Sequence, residues 1–578
     1  MALIGLSIPA AGLVLAGGWS AHLGLSVRDH LEAAKNALLP LSSDDPRQLA
    51  GPLAEARRHA AEARRLTSGP DWWLLAHAPF VGDAATTTAG LAEAADELTD
   101  VLGGVYRTAT PFMTANAVSM SNIRQLLDGL GAAAPVLDDG VARLATVRSL
   151  LAATPADTGV DLLDQARDTA LREIDRLHGR LGQAADAAAL LPPMLGHDGP
   201  RRYFLAFQTN AEARGTGGLV GAFGILKADH GKLGIDRLSA DNGLGSPRPV
   251  VDHGAAFQAR YGPSATSLLS VSNLSPHFPY AAATWAGLWE RRYGRRLDGA
   301  IATDPVGLSY LLGLIGPVTL PDGETITADN VVDLTERAAY ARYPDPMERK
   351  RFLITVAGAV SDAVSRSLPE PARLLPVLSR LVDERRIQIW SRHLAEEQRL
   401  AATPLGGELP RRPGPFAGLV VNNSAGGKLD YYLRRSLSYS LDACRDDGLR
   451  ATTVRVRLGN DVPRGALPDY VTARLDSPGR HHAPGSNLLW VSLYATQGAR
   501  LSGVRLDGHK TAVIIEAEQS HPVYSTLLEF APRQSRTLEF TLLEPVSAQP
   551  PAAPVQPLVR PQHTRITEDH SGCPTSSS

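Results

Sequence analysis

The residue pattern changes near Tyr203, and this change constrains the fold more than any other feature of the chain. From about residue 26 to 195 the sequence is rich in Ala, Leu, Arg and Glu, with apolar residues at helical spacing. Beyond Tyr203, short apolar and β-favouring runs alternate with helical segments. A length of 578 residues corresponds to roughly three or four domains at about 150 residues each. We therefore predict a multidomain α+β protein.

The N-terminal segment carries no formal charge. No Lys, Arg, Asp or Glu occurs from Ala2 to Leu25, which is about the length of helix needed to cross ~30 Å of hydrocarbon. We predict a single transmembrane anchor over residues 1–25, with the rest of the chain outside the cytoplasm. A cleaved signal peptide and a buried core helix are the alternatives.

Residues 26–195 are predicted to form an extracytoplasmic region of several antiparallel helices. Its Trp72-Trp73-Leu74-Leu75 cluster has two interpretations, a membrane-interface belt or an apolar plug between helices. We favour the plug, because aromatic pairs usually pack cores.

Residues 196–410 are predicted to form an α/β core domain. Tyr203 to Phe207 and Gly218 to Leu226 have the composition of strands. Asp304 followed by Pro305 is typical of a helix start, and Pro317 to Leu320 returns to a strand pattern. This succession predicts a βαβ-like unit.

The remaining chain has two predicted parts. Residues 411–545 repeat strand signals separated by turn residues, which predicts a β-sandwich. Residues 546–578 are rich in Pro and Ser and are expected to be a disordered tail. Cys444 and Cys573 make no disulfide framework or zinc spacing, and we give little weight to their pairing.

The overall charge argues against one class of main partner. Lys and Arg number 58 against 60 Asp and Glu, a formal net charge of -2. Nucleic-acid binding depends on a basic surface, so we do not expect nucleic acid as the main partner.

One candidate site lies between the first two predicted strands. Asn210, Glu212, Gly217 and Gly218 flank Arg214 in a polar loop at a sheet edge, where ligands of α/β folds bind. The glycines would let backbone amides approach an anion, and Arg214 would form bidentate bonds to phosphate or carboxylate. The alternative is a loop in which Arg214 pairs with Glu212.

A second candidate site is a basic helix start. Asp345, Pro346 and Glu348 form an N-cap, an N1 proline and an acidic first turn. Arg349 and Arg351 oppose the helix dipole there, and a bound anion would remove that conflict.

Two aspartates bracket the strand from 299 to 302. Asp304 is interpreted as the N-cap of the next helix, and Asp298 as a metal-facing carboxylate or a turn residue.

These same residues carry a resemblance to a known family. The sequence is similar to the bacterial envelope family called domain of unknown function 4012, whose members are typically single-span proteins of GC-rich Gram-positive bacteria, often associated with cell-surface polysaccharide. The matching stretches are Asn210–Gly218, Ser272–Pro279, Leu297–Pro305, Gly316–Val318 and Thr327–Asn330.

A more distant resemblance concerns the LytR-CpsA-Psr glycopolymer transferases, which move a polymer from a polyprenyl pyrophosphate carrier to peptidoglycan with magnesium. Asp298 to Val318 resembles one of their segments, and Asp345 to Arg351 resembles their Arg-rich helix start. The resemblance implies that Arg214, Arg349 and Arg351 hold the pyrophosphate and that Asp298 faces Mg²⁺. Arg214 is followed by Gly-Thr-Gly-Gly, so the acidic residue that those enzymes carry beside this arginine is absent.

Two functions are therefore expected at this stage. The α/β domain is either a pyrophosphate-handling glycopolymer transferase at the membrane, or a non-catalytic envelope assembly factor that binds a carrier lipid or polysaccharide. The transferase requires two or more acidic residues to converge beside Arg214 and Arg349.

Overall fold

A computed structural model describes residues 18–38, 49–113, 123–240, 244–366, 371–463, 467–477 and 479–573. The chain divides into two compact units, with the boundary between Gly199 and Pro200. The expected combination of helices and sheets in a multidomain α+β protein is confirmed. The α/β core and the β-sandwich, predicted as separate domains, both lie in the second unit.

The first unit is built from helices that pack on their neighbours along the chain through small and aliphatic side chains. Alanines such as Ala56, Ala60 and Ala63 recur on one buried stripe and allow close helix contact. The helices are α1 (Gly18–Leu38), α2 (Ala50–Thr67), α3 (Pro70–Ala76), α4 (Gly82–Met113), α5 (Ile123–Ala152) and α6 (Asp161–Met194).

The predicted anchor falls mainly outside the described residues. Its last part, from Gly18, is the first portion of α1, which continues without a break past the predicted boundary at residue 25. Among the helices of the described ranges, none combines the length and the apolar character that a membrane span requires.

The second unit begins with a mixed sheet. Its strands, with a separate short hairpin, are β1 (Arg201–Arg214), β2 (Gly217–Asp229), β3 (Lys232–Ala240), β4 (Gly299–Thr303), β5 (Val318–Thr319), β6 (Thr325–Ile326) and β7 (Ile387–Ser391). The sheet order is β3-β2-β1-β4-β7, in which β1 and β4 are parallel and the other pairs antiparallel.

Helices surround this sheet. They are α7 (Ala255–Tyr261), α8 (Phe278–Tyr293), α9 (Pro305–Ile315), α10 (Val331–Asp333), α11 (Ala339–Arg342), α12 (Pro346–Arg366), α13 (Pro371–Asp383) and α14 (Leu394–Ala401). A π-helical turn, Leu334–Ala338, joins α10 to α11. Helix α8 packs on the sheet through Trp285 against Phe204, whereas α9 and α12 form a second apolar cluster.

The expected βαβ-like unit differs from the observed connection. The strand after α9 is β5, which pairs with β6 in a separate hairpin and does not return to the main sheet. The parallel neighbour of β4 is β1, whose Tyr203 lies opposite Gly299. The sequence pattern identified β5 and α9 but not the strand that pairs with β5, because strand pairing is not determined by the residues of one segment.

The C-terminal part of this unit contains two sheets that share one apolar core. One sheet has the order β13-β12-β16-β10-β9-β17 and the other β14-β15-β11-β8. The elements are β8 (Ala417–Asn423), β9 (Leu433–Cys444), β10 (Leu449–Asn460), α15 (Asp469–Thr472), β11 (Asn487–Ala495), β12 (Arg500–Leu506), β13 (His509–Lys510), β14 (Ile514–Glu518), β15 (His521–Phe530), β16 (Ser535–Pro545) and β17 (Gln562–Glu568). This is a sandwich arrangement.

Residues 546–573 are ordered parts of the sandwich, so the expectation of a disordered tail does not hold for them. Strand β17 pairs in parallel with β9, and Leu558 lies in the sandwich core. Cys573 forms a disulfide with Cys444, to which the sequence analysis gave little weight. A segment rich in Pro and Ser has few apolar side chains to bury and does not fold by itself. Pairing with the existing strand β9 supplies the contacts that its own side chains lack.

Candidate functional site

The first candidate site lies at the end of β1, where the strand leaves regular pairing with β2. Thr209 pairs with Leu219, but the next paired residue is Ala213, opposite Gly218. The three residues between them, 210–212, therefore form a bulge, and their backbone groups need partners from outside the β1–β2 ladder.

Two buried carboxylates accept hydrogen bonds from backbone amides in and beside this bulge. The Ala211 amide donates to Glu336 Oε2 at 2.7 Å, and the Ala213 amide donates to Asp430 Oδ2 at 2.8 Å. Glu336 comes from the π-helical turn, and burial raises its pKa to about 8. Burial also raises the pKa of Asp430 above its ordinary value. The sequence analysis missed both residues, because no local pattern marks a partner more than 100 positions away.

Arg214 is held by groups of the protein itself. Its Nη2 donates to Glu212 Oε1 at 2.6 Å, and its Nε donates to the Ser270 carbonyl at 3.1 Å. The other Glu212 oxygen pairs with Lys428. The structure therefore agrees with the alternative interpretation, in which Arg214 pairs with Glu212.

The expected polar loop is not observed, because the candidate residues lie at the end of β1 (Arg201–Arg214) and the start of β2 (Gly217–Asp229). The other candidate residues serve packing there. Gly218 donates its amide to Gln208 Oε1 at 2.9 Å, and a Cβ on Gly218 would lie 2.2 Å from the Thr209 carbonyl oxygen. Gly217 has φ +142°, and a Cβ there would lie 2.4 Å from Gln208 Oε1. The Asn210 side-chain nitrogen donates to the Pro557 carbonyl at 3.0 Å. The glycines permit close packing of β2 against the end of β1. The Gly218 amide already has a protein acceptor and is not free for an anion.

The second candidate site has its two arginines in different environments. Arg349 is buried, donates to the Tyr343 carbonyl at 2.9 Å, and has its guanidinium carbon 5.0 Å from the centre of the Tyr340 ring and 4.1 Å from that of Tyr470. Arg351 is exposed and lies 3.9 Å from Glu348. The two side chains therefore do not share one anion-binding position.

The start of α12 agrees with its sequence. The Asp345 carboxylate accepts the Met347 and Glu348 amides at 2.8 and 2.9 Å, which confirms the predicted N-cap. Two of the amides at this helix end thus already have a partner.

The two predicted sites meet through one intermediate residue. Lys428, which pairs with Glu212, also places its Nζ 5.4 Å from the centre of the Tyr470 ring that Arg349 covers. Arg214 and Arg349 therefore belong to one chain of ion pairs and cation–π contacts. The connection is internal, and each cation in it has a protein partner.

Asp298 lies elsewhere. Its Oδ2 accepts the Arg202 amide at 2.8 Å at the start of β1, while Arg214 is at the end of that strand, about 35 to 40 Å away at 3.3 Å per residue. Its other oxygen lies 3.5 Å from Arg201 and 3.1 Å from His393. The predicted metal residue is thus separated from the predicted pyrophosphate residues.

These surroundings do not fit the expected Mg²⁺. Magnesium favours oxygen ligands and several waters, whereas Asp298 is paired with an arginine and a histidine. Among the residues that the structure describes, no group of three His, Cys, Asp or Glu side chains is placed to hold a metal ion.

Asp304 is confirmed as the N-cap of α9. Its Oδ1 accepts the Gly307 amide at 2.7 Å, and its Oδ2 accepts from Arg386 at 2.8 Å. Beside it, Gln208 and Glu336 line a cavity of about 40 Å³. A space of this size accommodates water rather than a sugar or a pyrophosphate.

A larger cleft of about 670 Å³ opens in the sandwich region, within the volume range of small-molecule sites. Arg480 and His481 are exposed on its wall. On the same wall, His482 Nε2 lies 2.7 Å from Ser477 Oγ, and its Nδ1 lies 3.2 Å from Glu529 Oε1. The sequence analysis did not single out these residues, since no known motif joins them.

The lining of the cleft carries both signs of charge, with Asp469, Arg474 and Arg480 among its residues. Arg474 pairs with Asp476 and Glu529, and its hydrogen bond lowers the pKa of Glu529. Within the described ranges, Arg480 has no ion-pair partner, so its charge is available to a ligand.

Comparisons with known proteins give limited information. No curated protein matches this sequence. A solved structure from Legionella pneumophila, provisionally described as a nutrient-binding protein, has 6% identity and a TM-score of 0.15. The alignment covers 23% of this chain and 43% of that one. A likeness at this TM-score carries no argument about fold or function.

A family model gives the clearer result. It matches residues 198–340, the part of the chain that contains β1, β2, β4 and the Glu336 turn. All five motif stretches of the family resemblance lie inside this range, while Arg349 and Arg351 lie outside it. Residues 198–340 therefore match the model of the family described as protein of unknown function (DUF4012).

Proposed function

We propose that this protein is a membrane-attached, extracytoplasmic envelope protein that binds an anionic glycopolymer and assists envelope assembly without transferring phosphate. One observation carries the choice between transferase and binding protein. Arg214 and Arg349, expected to hold a pyrophosphate, are buried and bound to protein groups. Phosphoryl transfer depends on cations positioned at the transferring group.

The open cleft supports a binding role. Arg480 and His481 present cationic and hydrogen-bonding groups on the wall of a space of about 670 Å³. An arginine forms paired hydrogen bonds with phosphate or carboxylate groups. We therefore assign polymer binding to this cleft and not to the end of β1.

The disulfide supports a location outside the cytoplasm. Cys444 and Cys573 are bonded, and disulfides persist mainly in oxidising compartments. The uncharged N-terminal segment is the proposed means of attachment to the membrane.

Binding of a phosphodiester-linked glycerol polymer tests the proposal. We expect calorimetry on the detergent-solubilised full chain to show affinity that falls at least about tenfold in Arg480→Ala/His481→Ala, since each charge-assisted bond contributes about 1.5 to 3 kcal/mol. Arg505→Ala, an exposed arginine on β12 outside the cleft, is the matched control. Equal affinity in all three proteins would reject the assignment.

The transferase alternative has its own readout. Mass spectrometry would identify lipid that copurifies with the protein. A polyprenyl pyrophosphate that is present in the wild type and lost in folded Arg214→Ala and Arg349→Ala variants would support the transferase. We expect no such loss in the folded fraction.

The geometry of the cleft favours a second candidate function, acyl-ester hydrolysis. Ser477, His482 and Glu529 have the order of nucleophile, base and orienting carboxylate that serine hydrolases use. Hydrolysis of p-nitrophenyl acetate that disappears in Ser477→Ala and His482→Ala but persists in Arg505→Ala would support it. An unchanged rate in Ser477→Ala would exclude it.

A further inference from the structure

The most exposed large apolar side chains of the helical unit cluster in one short segment. Trp73 is 60% exposed and Leu74 is 63% exposed on α3, and Phe80, in the loop to α4, is fully exposed. Trp72 is only 1% exposed and donates its Nε1 to the Ala85 carbonyl at 3.0 Å. The apolar plug expected for the Trp72–Leu75 cluster therefore holds for Trp72, but not for Trp73 and Leu74, which lie at the surface.

The segment has a defined shape. Gly82 donates to the Ala78 carbonyl at 3.0 Å, and a Cβ on Gly82 would lie 2.6 Å from the Ala76 carbonyl oxygen, so α3 turns tightly into α4. Phe80 has φ +69°, an unfavourable conformation for a bulky residue. The fold thus maintains an exposed aromatic residue at a strained position, which is typical of residues that have a binding role.

The segment that carries these side chains has few charges, and the His77 ring lies against Trp73 with the ring centroids 4.3 Å apart. From Gly69 to Leu91 there is no Lys or Arg, and Asp71 and Asp83 are the acidic residues. Large exposed apolar patches mark binding surfaces for proteins or membranes. Because this segment has no Lys or Arg, attraction to anionic lipid headgroups does not explain the exposed apolar side chains.

The course of the chain indicates what the exposed apolar side chains bind. Helices α1 and α2 are antiparallel, because His30 contacts His59 and Leu23 packs in the same cluster as Leu66. The start of α1 therefore lies at the end of α2, and α3 begins only three residues after α2 ends. Gly18, the first described residue of α1, therefore lies toward the end of the bundle that carries Trp73.

We propose that Trp73, Leu74 and Phe80, here called the apolar tip, insert into the surface of the lipid bilayer. Tryptophan and other apolar side chains are favoured at the membrane interface. This inference rests on the proposed membrane attachment of the N-terminal segment, because that attachment places the tip beside the bilayer. The tip then fixes the orientation of the helical unit relative to the membrane.

Tryptophan fluorescence of the full chain in phosphatidylcholine vesicles tests the proposal. Nitroxide attached near the headgroup end of the acyl chain quenches tryptophans within the interface. We expect Trp73→Phe to lose part of the quenched signal and Trp72→Phe, at the buried position, to leave that quenched signal unchanged. Quenching should persist at 0.5 M salt, because the tip acts without electrostatic attraction.

A gain of signal provides the second arm. Phe80→Trp should increase the quenched fraction, whereas Leu191→Trp should not. Leu191 is also exposed but lies near the C-terminal end of α6, about 45 Å along the helix from Asp161. Equal quenching in the wild type and Trp73→Phe, with no increase for Phe80→Trp over Leu191→Trp, would overturn the proposal.

An alkaline carbonate wash of the same vesicles tests the N-terminal anchor separately from the apolar tip, because only an anchored protein is retained. Retention without quenching of Trp73 would leave membrane attachment intact and reject the tip. Quenching of Trp73 in protein that washes off would support the tip and reject the anchor. A dimer in detergent that Trp73→Ala dissociates would identify a second copy as the occupant and overturn the lipid assignment.

Discussion

The guanidinium carbon of Arg349 lies 4.1 Å from the centre of the Tyr470 ring, which joins the start of α12 to the short helix α15 of the sandwich region. A cation over a ring face is attracted by the electron density of the ring. Arg349 also donates to the Tyr343 carbonyl. This arginine therefore holds structural elements together and is not accessible to an anionic substrate.

We predict that Arg349→Met destabilises the protein by about 2 to 3 kcal/mol, because it removes a cation–π contact and leaves the Tyr343 carbonyl without its donor. Arg351→Met should change stability by less than about 0.5 kcal/mol, since that side chain is exposed. Thermal unfolding of both variants measures the difference. Equal melting temperatures would contradict a structural role for Arg349.

The buried Glu336 carboxyl predicts a pH dependence of stability. Burial raises its pKa from the ordinary 4.5 to about 8 in the folded protein. Between these values the folded state retains a proton that the unfolded state releases, so the free energy of unfolding falls as pH rises. The slope approaches about 1.4 kcal/mol per pH unit inside this window.

Glu336→Gln should remove this contribution while keeping an oxygen that accepts the Ala211 amide. The stability of the wild type relative to the variant is therefore expected to decrease steadily between pH 5 and pH 8. Urea unfolding at several pH values measures it. A constant difference across that range would show that Glu336 does not titrate there.

Gly218 is predicted to be essential for packing at the end of β1. A Cβ there would lie 2.2 Å from the Thr209 carbonyl oxygen and 2.7 Å from the Asn210 amide nitrogen, both backbone atoms. Gly218→Ala should cost several kcal/mol or prevent folding. Gly234→Ala on β3 is the control, since a Cβ there meets nothing within 4 Å. Expression yield and melting temperature distinguish the two, and similar values would contradict the packing argument.

The disulfide is expected to stabilise the sandwich strongly. It joins residues 129 positions apart, and closing a loop of that length contributes up to about 5 kcal/mol through the entropy of the unfolded chain. Cys573→Ser should lower the urea midpoint, and reductant should lower that of the wild type to a similar value. Limited proteolysis should then cut near β17, and resistance there in the variant would show that strand pairing alone holds this segment.

Local features of the fold were predictable because their causes are local. Asp304 and Asp345 were recognised as N-caps, since a cap depends on amides two or three residues away. The strand pattern of Tyr203 to Phe207 likewise depends on side chains of one short segment. The partner of the strand after α9 was predicted wrongly, because several edges satisfy the same apolar pattern.

The candidate sites show the opposite dependence. Arg349 and Arg351 are two positions apart and have the same charge, yet one is buried between tyrosines and the other is exposed. No pattern of nearby residues distinguishes them. The contact between His482 and Glu529 was missed for a related reason, because the two residues are 47 positions apart.

The sequence by itself determined the kinds of elements, their caps, the absence of an overall basic charge and the match of residues 198–340 to the DUF4012 family model. Only the tertiary structure decided which charges are available to a ligand. Glu212 pairs with Arg214 and also with Lys428, which lies 216 positions later in the sequence. The charges of the region that sequence alone assigned to phosphate are therefore already paired. The physical reason is that helix and strand formation depend on near neighbours, whereas the pairing and burial of a charge depend on residues that only the folded chain brings together.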